Sequence, residues 1–109
     1  METTQPLPLA FATHLSRDRR RSAHTVRAYA ATAERLIAFL QGHWGGPVDA
    51  ATLAGISATD LRAFLAQRRE AGLANASAAR ELSAVRAFLD FAGIEAPRLR
   101  GPRTGKTTT

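Results

Sequence analysis

The chain has no cysteine, which excludes a disulfide framework and a thiolate metal site and fits a reducing cytosol. Its longest apolar runs fall far short of the ~20 residues a membrane span needs. Its N-terminus lacks a basic stretch followed by an apolar one, so neither a membrane anchor nor a secretory signal is expected. The three histidines, His14, His24 and His43, lack the spacing or carboxylate company of a metal site. No metal, cofactor or small-molecule substrate is therefore expected. Strand patterns are scarce and no internal repeat is present. One tyrosine, Tyr29, is found, and it falls on an apolar helical stripe that makes it a core residue rather than a nucleophile. Gly101-Pro-Arg-Thr-Gly105-Lys106-Thr107 has three residues between its glycines where a phosphate-binding loop needs four, and no strand precedes it.

Acids are also few, and their placement is informative. The net charge is +6, yet residues 22–97 hold seven arginines and seven acids and balance. The surplus lies at the ends, in Arg17, Arg19, Arg20 and Arg21 on one side and in Arg98, Arg100, Arg103 and Lys106 on the other. Basic arms on a neutral body can neutralise phosphates and steer the chain to nucleic acid. On charge alone, a solvated surface with a basic tail is an equal reading.

At 109 residues the chain is long enough for one domain with a modest core. Residues 1–8 contain two prolines and are expected to be a flexible N-terminus. Residues 9–19 predict a first helix with Phe11, Ala12 and Leu15 on one face. Ser22 is placed to cap a second helix over 23–41, whose stripe Val26, Tyr29, Ala30, Ala33, Leu36, Ile37, Leu40 follows helical spacing until Gly42. Gly45-Gly46-Pro47 opens a connector to about Ile56. Ser57-Ala-Thr-Asp60 has the form of a capping box, with Asp for the usual Glu. The third helix that follows should bury Leu61, Phe64, Leu65 and the stem of Arg68, with Gly72 at its end. Asn75 is expected to cap a fourth helix over 76–92, which stops at Gly93. Trp44 is expected to pack over one end of the bundle. After Pro97 the composition turns to Arg, Gly, Pro, Lys and Thr, and no packed structure is expected there. The plan is a helical domain over 9–96 and a basic tail over 97–109. Four helices joined by short connectors imply an all-α, four-helix bundle.

Two of these helices carry one-sided polar decoration. On the fourth, Ala78, Leu82, Val85, Leu89 and Ala92 share one side while Ser77, Arg80, Ser83 and Arg86 step around the other. The second offers Ser22, His24, Thr25 and Arg27 at its N-terminal end. Arginines beside small hydroxyls and a helix N-terminus are the groups that contact phosphates. These eight residues are the candidate DNA-binding set; no catalytic set can be named.

The same two segments resemble the N-terminal core-binding domain of tyrosine recombinases, most closely the XerC type. The family pattern Ser-Pro-His-Thr-x-x-Ala-Tyr is matched by Ser22-Ala-His24-Thr25-Val-Arg-Ala28-Tyr29. Ser-x-Ala-Arg-x-Leu-Ser-Ala-x-Arg-x-Phe is matched by residues Ser77 to Phe88, and the helix between resembles the family over Asp60–Arg68 and Gly72-Leu73. The chain departs from the pattern at Ala23, Ala30, Ala31 and Thr32, which stand for a proline, two basic residues and an acid. The resemblance covers about residues 9–94. It implies a four-helix, SAM-like bundle that grips double-stranded DNA at a recombination half-site through its second and fourth helices. It also implies recombinase protomers as partners in a synaptic complex, a cytoplasmic location and a role in chromosome dimer resolution. The family's catalytic residues belong to a C-terminal domain, so this chain is expected to bind without cutting. A helical protein-interaction domain, and the core-binding domain of a phage or transposon integrase, are the alternatives.

Overall fold

The computed structural model describes residues 6–18 and 20–99. The expectations for residues 1–5, for Arg19 and for the basic tail from Arg100 onward, including the glycine-rich 101–107 stretch, lie outside the described residues. The described chain is all-helical: α1 Leu7–Ser16, α2 Ala23–Trp44, α3 Ala50–Leu53, α4 Ala58–Glu70 and α5 Asn75–Phe91. The four long helices are those the periodicity predicts. The fifth, α3, is a single turn inside the connector, started by the Asp49 carboxylate accepting from the Thr52 N–H at 2.8 Å. It exists to bring Leu53 into the core, where that side chain is fully buried.

Several boundaries differ from the expected ones for identifiable reasons. Helix α1 starts two residues early, because prolines at its start forfeit only N–H groups that a first turn leaves unpaired. Helix α2 runs straight through Gly42 to Trp44. A glycine inside a helix costs ~1 kcal/mol, and docking Trp44 against the core offsets it. The terminator is Gly45, whose φ of 80° puts it in the left-handed region and returns its N–H to the Gln41 carbonyl at 2.9 Å. Asn75 does not cap α5. The cap position falls on Ala74, which has no acceptor to offer, and Asn75 is the first helical residue.

Helix α2 is the spine. It packs along α1 and α5, while α4 bridges α2 and α5 and α1 also touches α5. Phe11 and Leu15 of α1, Leu36 and Leu40 of α2, Leu61 and Phe64 of α4, and Val85, Phe88 and Leu89 of α5 fill the centre. Phe11 lies against Phe88 with ring centroids 5.2 Å apart, and Phe64 against Phe39 at 5.6 Å. The buried side of α5 is rotated slightly from the expected stripe. Glu81, Ala84 and Phe88 are buried along with Ala78, Val85 and Leu89, whereas Leu82 and Ala92 are half-buried. Ile37 of α2 is likewise half-buried. Beyond Pro97, where no packing was expected, Leu99 packs against the core.

Candidate nucleic-acid interface

The N-terminal halves of α2 and α5 lie side by side and enclose an open groove of ≈ 380 Å³. Of the eight candidate residues, His24 and Thr25 from α2 and Ser77 and Arg80 from α5 line it. Ser22, Arg27, Ser83 and Arg86 are exposed but stand outside its lining. Each is placed by helix phase: Ser77 and Arg80 are one turn apart, so the Arg80 guanidinium reaches the Ser77 hydroxyl at 3.3 Å. Ser22 has a second duty. Its Oγ accepts from the Thr25 N–H at 3.0 Å and donates to the Thr25 hydroxyl, capping α2 as its sequence context predicts.

The floor of the groove contains what the sequence pattern did not single out. Glu81 is buried, and its two carboxylate oxygens hold two arginines from different helices. Arg35 Nη2 of α2 donates to Oε2 at 2.8 Å, and Arg68 Nε of α4 donates to Oε1 at 2.7 Å. Arg35 also donates to the Thr32 hydroxyl at 3.1 Å, and that hydroxyl donates to the Ala28 carbonyl. Thr32 thus occupies the position where the family pattern has an acid. Its hydroxyl shares Arg35 with the Glu81 carboxylate. A signal was available: Glu81 lies three residues after Ala78 and four before Val85, on the apolar face, where an acid persists only with cationic partners.

Tyr29 forms part of the groove wall. It is half-buried, packs against the core, and has the Arg21 guanidinium 5.5 Å above its ring. The opposite end of α2 holds a different polar cluster. Asp60 completes both halves of the capping box with Ser57, and its Oδ1 meets His43 Nε2 at 3.1 Å and the Trp44 indole N–H at 3.4 Å. His43 therefore has carboxylate company after all. Among the described residues no group of three potential metal ligands gathers. Burial pushes the Asp60 carboxyl up, but hydrogen bonds from the Ser57 backbone and hydroxyl, Trp44 and His43 outweigh it and hold it below the usual carboxylate value. No helix among the described residues is long and apolar enough to cross a membrane.

One family matches nearly the whole described chain, residues 10–95: phage integrase, N-terminal SAM-like domain. The chain belongs to this family. It is also similar to the tyrosine recombinase XerC of Mesorhizobium japonicum, 37% identical over 100 residues, which are 85% of this chain and 32% of that protein. The XerC proteins of Bradyrhizobium diazoefficiens and Rhizobium meliloti are 40% and 38% identical, over 72% and 71% of this chain and 24% of each relative. The chain thus spans about a third or less of the length of these relatives, and what it matches is an integrase-type N-terminal domain of XerC-like sequence. No solved structure matches it significantly.

Proposed function

We propose that this chain is the DNA-gripping module of a site-specific tyrosine recombinase, holding one face of a recombination half-site in chromosome dimer resolution. The observation that carries this reading is the pairing of α2 and α5. Their adjacent N-terminal halves present His24, Thr25, Ser77 and Arg80 around one groove, and Ser22, Arg27, Ser83 and Arg86 are exposed outside its lining. Those residue types bind phosphate oxygens together, and arginines neutralise the charge they meet. Catalysis in this reading belongs to another part of the recombinase. A nucleophilic tyrosine must reach a phosphate ringed by cationic donors, whereas Tyr29 is half-buried against the core. The partners are double-stranded DNA and further recombinase protomers, in the cytosol.

A salt titration of duplex binding tests the reading. Phosphate contacts make the logarithm of the binding constant fall steeply with the logarithm of salt, by ~0.9 for each phosphate neutralised. A steep slope supports a DNA grip. A flat one, with binding to a protein surface instead, would favour a helical interaction domain.

A further inference from the structure

Apolar packing holds α2 against α5, and hydrogen-bonded charges add a directional constraint to it. The one directional link among the described residues that ties both helices to α4 is the Glu81 carboxylate, with Arg35 on one oxygen and Arg68 on the other. The Glu81 side chain is 5% exposed, so both partners meet it in a partly desolvated site. Stability is a poor reason for such an arrangement. Buried ion pairs commonly do no better than apolar residues of the same volume, and their best-attested use is to fix register. The Nε of Arg35 is buried with no hydrogen-bond partner among the described residues. Location adds the link to function. Glu81 follows Arg80 directly and shares the helical turn of Ser77, and Arg35 lines the groove those residues flank.

Building on the DNA-gripping reading, we infer that Glu81 is a positioning residue of the DNA face: by holding Arg35 and Arg68 on one buried carboxylate, it fixes the separation at which α2 and α5 meet the duplex. The inference makes a prediction opposite in sign to simple electrostatics. Removing a carboxylate beside a phosphate-binding face should tighten DNA binding by charge alone. Removing a positioning residue should weaken it.

The experiment compares the full chain with Glu81→Gln and with the double variant Glu81→Leu, Arg68→Met, using a random-sequence 30-base-pair duplex as probe. The double variant keeps the net charge and every candidate DNA-contacting residue; it replaces the Glu81–Arg68 pair with apolar groups and leaves Arg35, whose side chain is 39% exposed, to be solvated by water. Its melting temperature should therefore stay near that of the parent or recover toward it relative to Glu81→Gln. Both variants should bind the duplex roughly tenfold more weakly at fixed salt, the size of one lost well-placed contact. Parent-like or tighter binding by a variant that is folded at the assay temperature would overturn the inference and leave the DNA-gripping reading intact. Absence of salt-sensitive binding by the parent would sink both. If the double variant fails to fold, Glu81→Gln, assayed well below its own melting temperature, decides alone.

Discussion

The two ends of α2 treat polar groups in opposite ways. At the C-terminal end they are spent on one another. Asp60 takes hydrogen bonds from Ser57, Trp44 and His43, and the Ser57 Oγ accepts one from the Asp60 N–H at the start of α4. At the N-terminal end, where α2 runs beside α5, Glu81 and Thr32 are buried and paired, but other polar groups are left facing solvent. His24, Arg27 and Arg80 are exposed, and Ala74, at the cap position of α5, has no side chain to cap it. One end is built to close the bundle. The other leaves the first turn of α5 uncapped and the His24 and Arg27 side chains exposed, which suits an anionic partner. The difference supports the proposed DNA face more than net charge does, because the charge of residues 22–97 sums to zero.

Both ends hang on one core, so the largest expected effect erases the contrast. Val85 is 1% exposed in the middle of α5. Val85→Asp should cost several kcal/mol by burying an unpaired charge, enough to unfold a domain of ordinary ~5–15 kcal/mol stability. Loss of the helical circular-dichroism signal at room temperature is the expected result, and a cooperative melt within a few degrees of the parent would contradict the core assignment. Next in size is a change confined to the open end. Arg80→Ala with Arg86→Ala should leave the melt nearly unchanged and lower the salt slope of duplex binding by about one for each arginine that met a phosphate. If either arginine contacts a guanine edge instead, the loss should depend on sequence and reach ~1–3 kcal/mol. Unaltered binding by the double variant would remove this face as the DNA surface.

The closed end should show the reverse pattern. Asp60→Ala removes half the capping box and the acceptor for Trp44 and His43, so a loss of ~1–3 kcal/mol is expected, with DNA affinity unchanged below the lowered melting temperature. Its pH dependence has a definite sign. The Asp60 carboxyl is held below its ordinary value of 3.8 in the folded chain. Its stabilisation is present above that value and is lost as pH falls through the lower folded value. The melting temperature of the parent should therefore drop more steeply below about pH 4 than that of Asp60→Ala. Parallel curves in this range would mean that the carboxylate contributes nothing through its ionised form.

What was legible in the sequence follows the same division. The four long helices, the α4 capping box, the Ser22 cap and the buried Leu61, Phe64 and Leu65 rest on local signals, spacing and cap chemistry, and all stand in the structure. The errors arose where tertiary contacts override local preference. Gly42 is carried inside α2 because Trp44 beyond it docks on the core, and Leu53 draws the connector into a turn of helix. On α5 the periodicity located the apolar face but missed Phe88 and Glu81 on it, since a small rotation decides which flanking residues are buried. The place of Glu81 on the apolar face is legible in the spacing, but the partners that pair it are not. Arg35 is 46 residues away in the chain and Arg68 is 13, and no local pattern joins them.

The smallest expected effect concerns the start of α5, where the expected cap and the observed one differ by one residue. If Asn75 were the cap, Asn75→Ala would cost ~1 kcal/mol. In the first helical position its side chain has no cap bond to lose, so the change should be neutral or slightly stabilising, alanine being the better helix former. The converse substitution tests the open end directly. Ala74→Asp supplies the missing acceptor and places a negative charge at the positive end of the helix, which should add ~0.5–1 kcal/mol of stability, or a few degrees in the melt. The same carboxylate would occupy the N–H groups of the first turn, one turn from Ser77, and repel a phosphate there. Ala74→Ser caps without the charge. The aspartate variant should thus melt higher and bind duplex more weakly than the parent, with the serine variant between them in binding. Tighter or equal DNA binding by Ala74→Asp would show that the uncapped start of α5 is a structural imperfection and takes no part in holding DNA.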